Sequence, residues 1–134
     1  MGKHILETNN FMLEIELETF SREYNDAVLH VNMKSSLPPC GMVSGISNLD
    51  IASEEFKEFV KDLKSLYDTL KGTAKIKECF MEQYIEFSGD GKGHIIVKGY
   101  LEHYSAHKQN LVFSNSFDQT YMTDFVNRLV NEFV

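Results

Sequence analysis

Phe11-Met12-Leu13-Glu14-Ile15-Glu16-Leu17-Glu18-Thr19-Phe20 alternates with a period of two: Phe11, Leu13, Ile15 and Leu17 fall on one side, Glu14, Glu16 and Glu18 on the other. Successive side chains of an extended chain point to opposite faces. The stretch therefore reads as a strand with one buried and one wet face, the mark of an antiparallel sheet. Ala27 to Lys34 repeats the pattern, with Leu29, Val31 and Met33 inward and His30, Asn32 and Lys34 outward. The polar segment Ser21 to Asp26 between them predicts a hairpin. A register with Glu18 opposite His30 and Glu14 opposite Lys34 would match opposite charges, and a slip of two residues would keep the faces matched as well.

Moving outward, Gly41 to Leu49 reads as a third strand, with Val43, Gly45, Ser47 and Leu49 sharing a face, and Pro38-Pro39 as the connection leading into it. Ser53 to Lys71 carries Phe56, Phe59, Val60, Leu63, Leu66, Tyr67 and Leu70 at helical spacing. Ser53 is the expected N-cap, Glu54, Glu55 and Glu58 suit the positive end of the dipole, and Gly72 is the expected C-cap. Thr73 to Phe87 returns to period two but changes phase near Glu78, which predicts either a bulge or two short strands; Cys79 and Met81 fall on the apolar parity of its second part. Ser88 to Gly93, with three glycines, reads as a hairpin loop into a strand from His94 to Tyr104, with Ile95, Val97, Gly99 and Leu101 inward. Leu111 to Phe117 is the last strand. Asp118 is the cap of a closing helix whose stripe is Met122, Phe125, Val126, Leu129, Val130 and Phe133. The order β-β-β-α-β-β-β-α predicts an α+β domain spanning 1–134: an antiparallel sheet of about six strands, with two helices packed on one face and the other face wet.

The chain has 134 residues and a net charge of −7, with 43% hydrophobic and 25% charged residues. That suits one globular domain. The negative charge argues against a phosphate backbone as ligand and favours a basic protein partner. Cys40 and Cys79 are expected to pack as small apolar groups in a reducing compartment. No signal peptide or transmembrane run is read, so the expected location is the cytoplasm and no membrane partner is expected.

Chemistry-bearing patterns are sparse. The glycine-rich Ser88 to Gly93 is followed by a strand rather than the helix a phosphate loop requires, so it reads as a turn. His103 and His107 have ligand spacing, but no third ligand stands nearby and they read as exposed loop residues. No nucleophile elbow is present. No catalytic residue, cofactor or metal is therefore assigned. The most distinctive feature is a pair of glutamate stripes: Glu14, Glu16 and Glu18, with Glu78, Glu82 and Glu86. By composition alone they are an ordinary solvated sheet face. As a functional feature they are an acidic patch for a basic protein.

Two segments carry a resemblance. Gly89-Asp90-Gly91-Lys92-Gly93-His94-Ile95 and Phe117-Asp118-Gln119-Thr120-Tyr121-Met122, in that order with a strand pair between, resemble the immunity proteins of the WapI family. Ala27 to Lys34 is similar to that family's second strand. Leu49-Asp50-Ile51-Ala52-Ser53-Glu54-Glu55-Phe56, leading to Phe59 and Leu63, is similar to its strand-to-helix junction. The chain lacks the tryptophan that members often carry near the second strand, where Leu29 and His30 stand. The resemblance implies a non-enzymatic cytoplasmic inhibitor that binds the C-terminal domain of a contact-delivered bacterial toxin, commonly a basic nuclease. An acidic adaptor domain with an unrelated partner is the alternative. In the matching motif Asp118, Gln119, Thr120 and Tyr121 are expected to be structural, with Tyr121 packing or hydrogen-bonding its hydroxyl.

Overall fold

The computed structural model describes residues 2–37, 39–104 and 106–134. Pro38 of the expected connection, and Ser105 of the loop between His103 and His107, lie outside the described residues. The strands are β1 Lys3–Glu7, β2 Phe11–Ser21, β3 Asp26–Leu37, β4 Gly41–Ile51, β5 Thr73–Lys77, β6 Tyr84–Gly89, β7 His94–Tyr104 and β8 Lys108–Asp118. Helix α1 spans Ser53–Thr69, a single 3-10 turn spans Gln119–Met122, and helix α2 spans Thr123–Phe133.

The α+β class holds, but the strands form two four-stranded antiparallel sheets, β1-β2-β3-β4 and β5-β6-β7-β8, in place of one six-stranded sheet. Helix α1 carries the chain away from β4, so each later strand pairs with its own hairpin neighbour and starts a second meander. The phase change at Glu78 marks two separate strands: β5 ends at Lys77, β6 begins at Tyr84, and they pair through Ile76 opposite Ile85. The added strand β1 has only His4 and Leu6 to bury, too short an alternation to stand out in the sequence.

The expected faces of β2 and β3 are those observed, with Leu13, Ile15, Leu29, Val31 and Met33 buried. The register is two residues away from the charge-matched one. Glu16 faces His30, Glu14 faces Asn32 and Met12 faces Lys34. Two causes add: the turn is tight, with Ser21 opposite Asp26, and an irregularity between Leu17 and Thr19 leaves Glu18 out of the register.

The start of α1 is satisfied from outside the helix. Ala52 is the N-cap residue and offers no side-chain bond. Asn25, left-handed at φ 50° in the β2–β3 turn, accepts from the Glu54 N–H at 3.0 Å and from the Ser53 hydroxyl at 3.2 Å. The same hydroxyl also lies 2.9 Å from the Ser21 carbonyl. Ser53 is thus buried as a tether to the hairpin rather than acting as the cap. At the other end Leu70, not Gly72, takes the left-handed C-cap position at φ 61°.

Both helices and both sheets share one apolar core. Helix α1 rests on β5 and on α2, and α2 rests on β1, so the helices bridge the sheets instead of covering one face of one sheet. Aromatic contacts mark the bridges: Phe56 meets Phe133 edge to face at 5.0 Å, Phe59 meets Phe87 at 6.2 Å, and Phe11 of the first sheet meets Phe113 of the second at 6.3 Å. Among the described residues no helix is long and apolar enough to cross a membrane.

Candidate functional site

The six glutamates do not form one face. Glu14, Glu16 and Glu18 stand on the outer surface of the first sheet, where Lys3 approaches Glu14 at 3.6 Å. Glu86 stands on the outer surface of the second sheet and pairs with Lys98 at 3.2 Å. Glu82 is exposed in the β5–β6 loop. Glu78 belongs to the same loop but is 7% exposed, so it is an interior group and not part of a solvated stripe. The expected second stripe fails because β5 ends at Lys77 and β6 begins only at Tyr84, so of its three members only Glu86 lies in a strand.

Where the two sheets meet, the edge strand β4 and the β5–β6 loop enclose an open groove of about 440 Å³. His30, Ile46 and Asn48 line one side; Glu78, Met81, Gln83, Glu102 and His103 line the other. Gln83, 4% exposed, is its hub. Its amide nitrogen donates to the Asn48 carbonyl at 2.9 Å and to Glu78 Oε1 at 3.0 Å. Its amide oxygen accepts from the Ser47 hydroxyl and from the Glu102 N–H at 3.0 Å. One amide thereby joins β4, β7 and the loop, with every hydrogen-bonding direction it needs satisfied. Glu78 is held a second time, its Oε2 accepting from the Asp50 N–H at 3.0 Å.

Glu102, 7% exposed, accepts from the Tyr100 hydroxyl at 2.7 Å and lies 3.5 Å from the Lys108 ammonium. Donating to that carboxylate pushes the Tyr100 phenol above its ordinary value. On the opposite wall His30 Nδ1 lies 2.7 Å from Asn48 Oδ1 and 3.6 Å from Glu18. The groove is therefore continuous with the first glutamate stripe. Gln83 gave no periodic signal in the sequence. The only pointer was the broken phase beside it at Glu78.

The cysteines do not pack as apolar groups. Cys40 and Cys79 are both exposed, because the β5–β6 loop, not a strand, carries Cys79. Partial desolvation and the Glu55 carboxylate raise the Cys79 thiol above its usual value, which disfavours a reactive thiolate. His103 and His107 are both exposed, His103 in β7 and His107 in the turn after it. Among the described residues no three His, Cys, Asp or Glu side chains are placed to hold a metal ion.

The Asp118-Gln119-Thr120-Tyr121 element acts as a clasp. Asp118 Oδ1 accepts from the Thr120 N–H and hydroxyl, both at 2.9 Å, capping the 3-10 turn rather than α2 directly. Those two bonds hold the Asp118 carboxyl below its ordinary value. Gln119 donates its side-chain amide to the Tyr67 carbonyl of α1, and its backbone N–H to the Gly93 carbonyl at 3.1 Å. The Asp90 carboxyl in the preceding hairpin is lowered in the same way, first by the Lys92 N–H. Tyr121 is 41% exposed and lies outside the buried core.

No curated protein and no solved structure gives a significant match to the chain. The family model described as the immunity protein WapI-like family matches residues 4–134. That span includes both sheets, both helices, the groove and the clasp, and the chain belongs to the WapI-like immunity protein family.

Proposed function

We propose that the protein neutralises the C-terminal domain of a contact-delivered toxin by binding it directly, without chemistry of its own. The observation that carries this reading is the family match over residues 4–134. The surface supports it in a specific way. Glu14, Glu16 and Glu18 present an acidic stripe on the first sheet, and the chain as a whole carries −7. A basic toxin domain, as a nuclease acting on RNA would be, is the partner such a field attracts. Charge complementarity speeds the encounter and sets its specificity. Covering the basic substrate surface of that domain would stop its activity. The cytoplasm, where such a nuclease meets its substrate, is the compartment of action in this reading.

The test is binding of the toxin domain encoded beside this chain to the wild type and to a Glu16→Lys/Glu18→Lys variant. These two glutamates are taken because Glu14 already has a lysine partner. A variant that folds normally and binds at least about tenfold more weakly supports the acidic stripe as the interface. Unchanged affinity discards the stripe, and absence of binding by the wild type discards the toxin as partner.

A further inference from the structure

We propose that the groove between β4 and the β5–β6 loop seats one basic side chain, an arginine or lysine, presented by the protein partner. The identity of that partner rests on the immunity reading; the chemistry of the seat does not.

Three observations converge. The first is an uncompensated charge. Glu78 lies nine-tenths buried against the groove and accepts two hydrogen bonds, from Asp50 N–H and Gln83 Nε2. A carboxylate has about four acceptor positions, so Glu78 retains capacity for further donors. Glu102 has the Lys108 ammonium 3.5 Å away, whereas among the described residues no lysine or arginine pairs with Glu78. Buried charges are ordinarily paired, and a cation from a partner would complete this one.

The second is preorganisation. Gln83 fixes Glu78 from one side and the Asp50 backbone from the other, so the carboxylate is held in place before any partner arrives. Little ordering is then left for the binding step.

The third is the rim. Ile46 and Met81 line the groove and are 63% and 41% exposed, and Phe80, next to Met81, is 93% exposed. Large apolar side chains left in water beside a carboxylate match the two parts of a long basic residue. The methylene stem packs on the aliphatic rim while the charged head reaches the acid. The route in is acidic as well, since Glu18 sits 3.6 Å from His30 at the groove's other wall.

The full chain, isotopically labelled, is titrated near neutral pH with N-acetyl-arginine amide and, separately, with the neutral isostere N-acetyl-citrulline amide. Saturable amide shifts at Asn48, Glu78, Gln83 and Glu102 are expected for the arginine probe. The citrulline probe should bind at least about tenfold more weakly. No saturable shift, an equal response to both probes, or shifts centred on Glu14 and Glu16 would overturn the seat. Glu78→Gln removes the charge and should abolish the preference for arginine. Ile46→Ser, an exposed rim change that leaves the network intact, should weaken the arginine probe without altering the fold; unchanged binding in both variants would also overturn it. Failure of the immunity reading is distinguishable. A toxin domain that binds while the arginine probe does not removes the seat alone, and an arginine response without toxin binding removes the toxin alone.

Discussion

Replacing Gln83 with methionine keeps the length and volume of the side chain and removes all four hydrogen bonds of its amide. Two of the partners keep another bond: the Ser47 hydroxyl still reaches the Glu102 carbonyl at 3.2 Å, and Glu78 still accepts from Asp50. The Glu102 N–H is left without its partner in the interior, which costs about 1–3 kcal/mol. Losing a donor to the Glu78 carboxylate costs about 1.5–3 kcal/mol more, and burial of the apolar methionine offsets part of the sum. The net expectation is a loss of about 3 kcal/mol, or about 10 °C in Tm for a domain of this size. Thermal unfolding followed by circular dichroism measures it.

Gln83→Glu tests the same geometry through pH. It places a second carboxylate about 3 Å from Glu78 Oε1, where the amide nitrogen had donated. Burial and the like charge raise the folded-state pKa of the introduced carboxyl above its ordinary range. The folded protein then binds more protons than the unfolded one, so stability relative to wild type rises as pH falls from about 7 toward about 5. A methionine variant within about 3 °C of wild type, or a glutamate variant whose deficit is constant with pH, would refute the role given to Gln83.

Asn25→Ala should destabilise by about 2 kcal/mol, from the lost cap on Glu54 and the left-handed backbone that alanine resists, while Asn25→Gly should cost less because it keeps the turn; urea unfolding separates the two. Gly99→Ala should cost at least about 2 kcal/mol, since a Cβ there would stand 2.5 Å from the Phe113 ring and 2.8 Å from the Tyr84 carbonyl, and its unfolding midpoint reads this directly. Asp90 and Asp118 have lowered folded-state pKa values, so their contribution is complete above the unfolded carboxylate pKa near 3.8 and disappears as pH falls through the folded values. The stability gap between wild type and an Asp90→Ala/Asp118→Ala variant should therefore be flat at neutral pH and close only below about pH 4.

Legibility followed how local the physics is. The alternation of Phe11 to Leu17 and Ala27 to Met33 is a property of the backbone pleat and could be read directly, as could the stripes of α1 and α2. The division into two sheets could not, because alternation tells which face a residue takes and not which strand edge it joins. The β2–β3 register turned on a tight turn and on a bulge at Glu18, which the hydrophobic pattern marks only by the three-residue step from Leu17 to Phe20. Ser53 has the composition of an N-cap, yet Asn25 performs that task from another element, and sequence spacing carries no record of a contact across 29 residues. The glutamate stripe on β2 was visible. The groove it leads to was not, because Gln83 and Glu78 become a site only when the second sheet brings β7 and the loop against β4.

The most direct test of the central claim is the affinity of the full chain for the toxin domain encoded beside it, at low and at physiological salt. Tight binding that weakens as salt screens the glutamate stripe is the expected result. Equal affinity at both salt concentrations would contradict an acidic interface, and no binding at either would contradict neutralisation by direct contact.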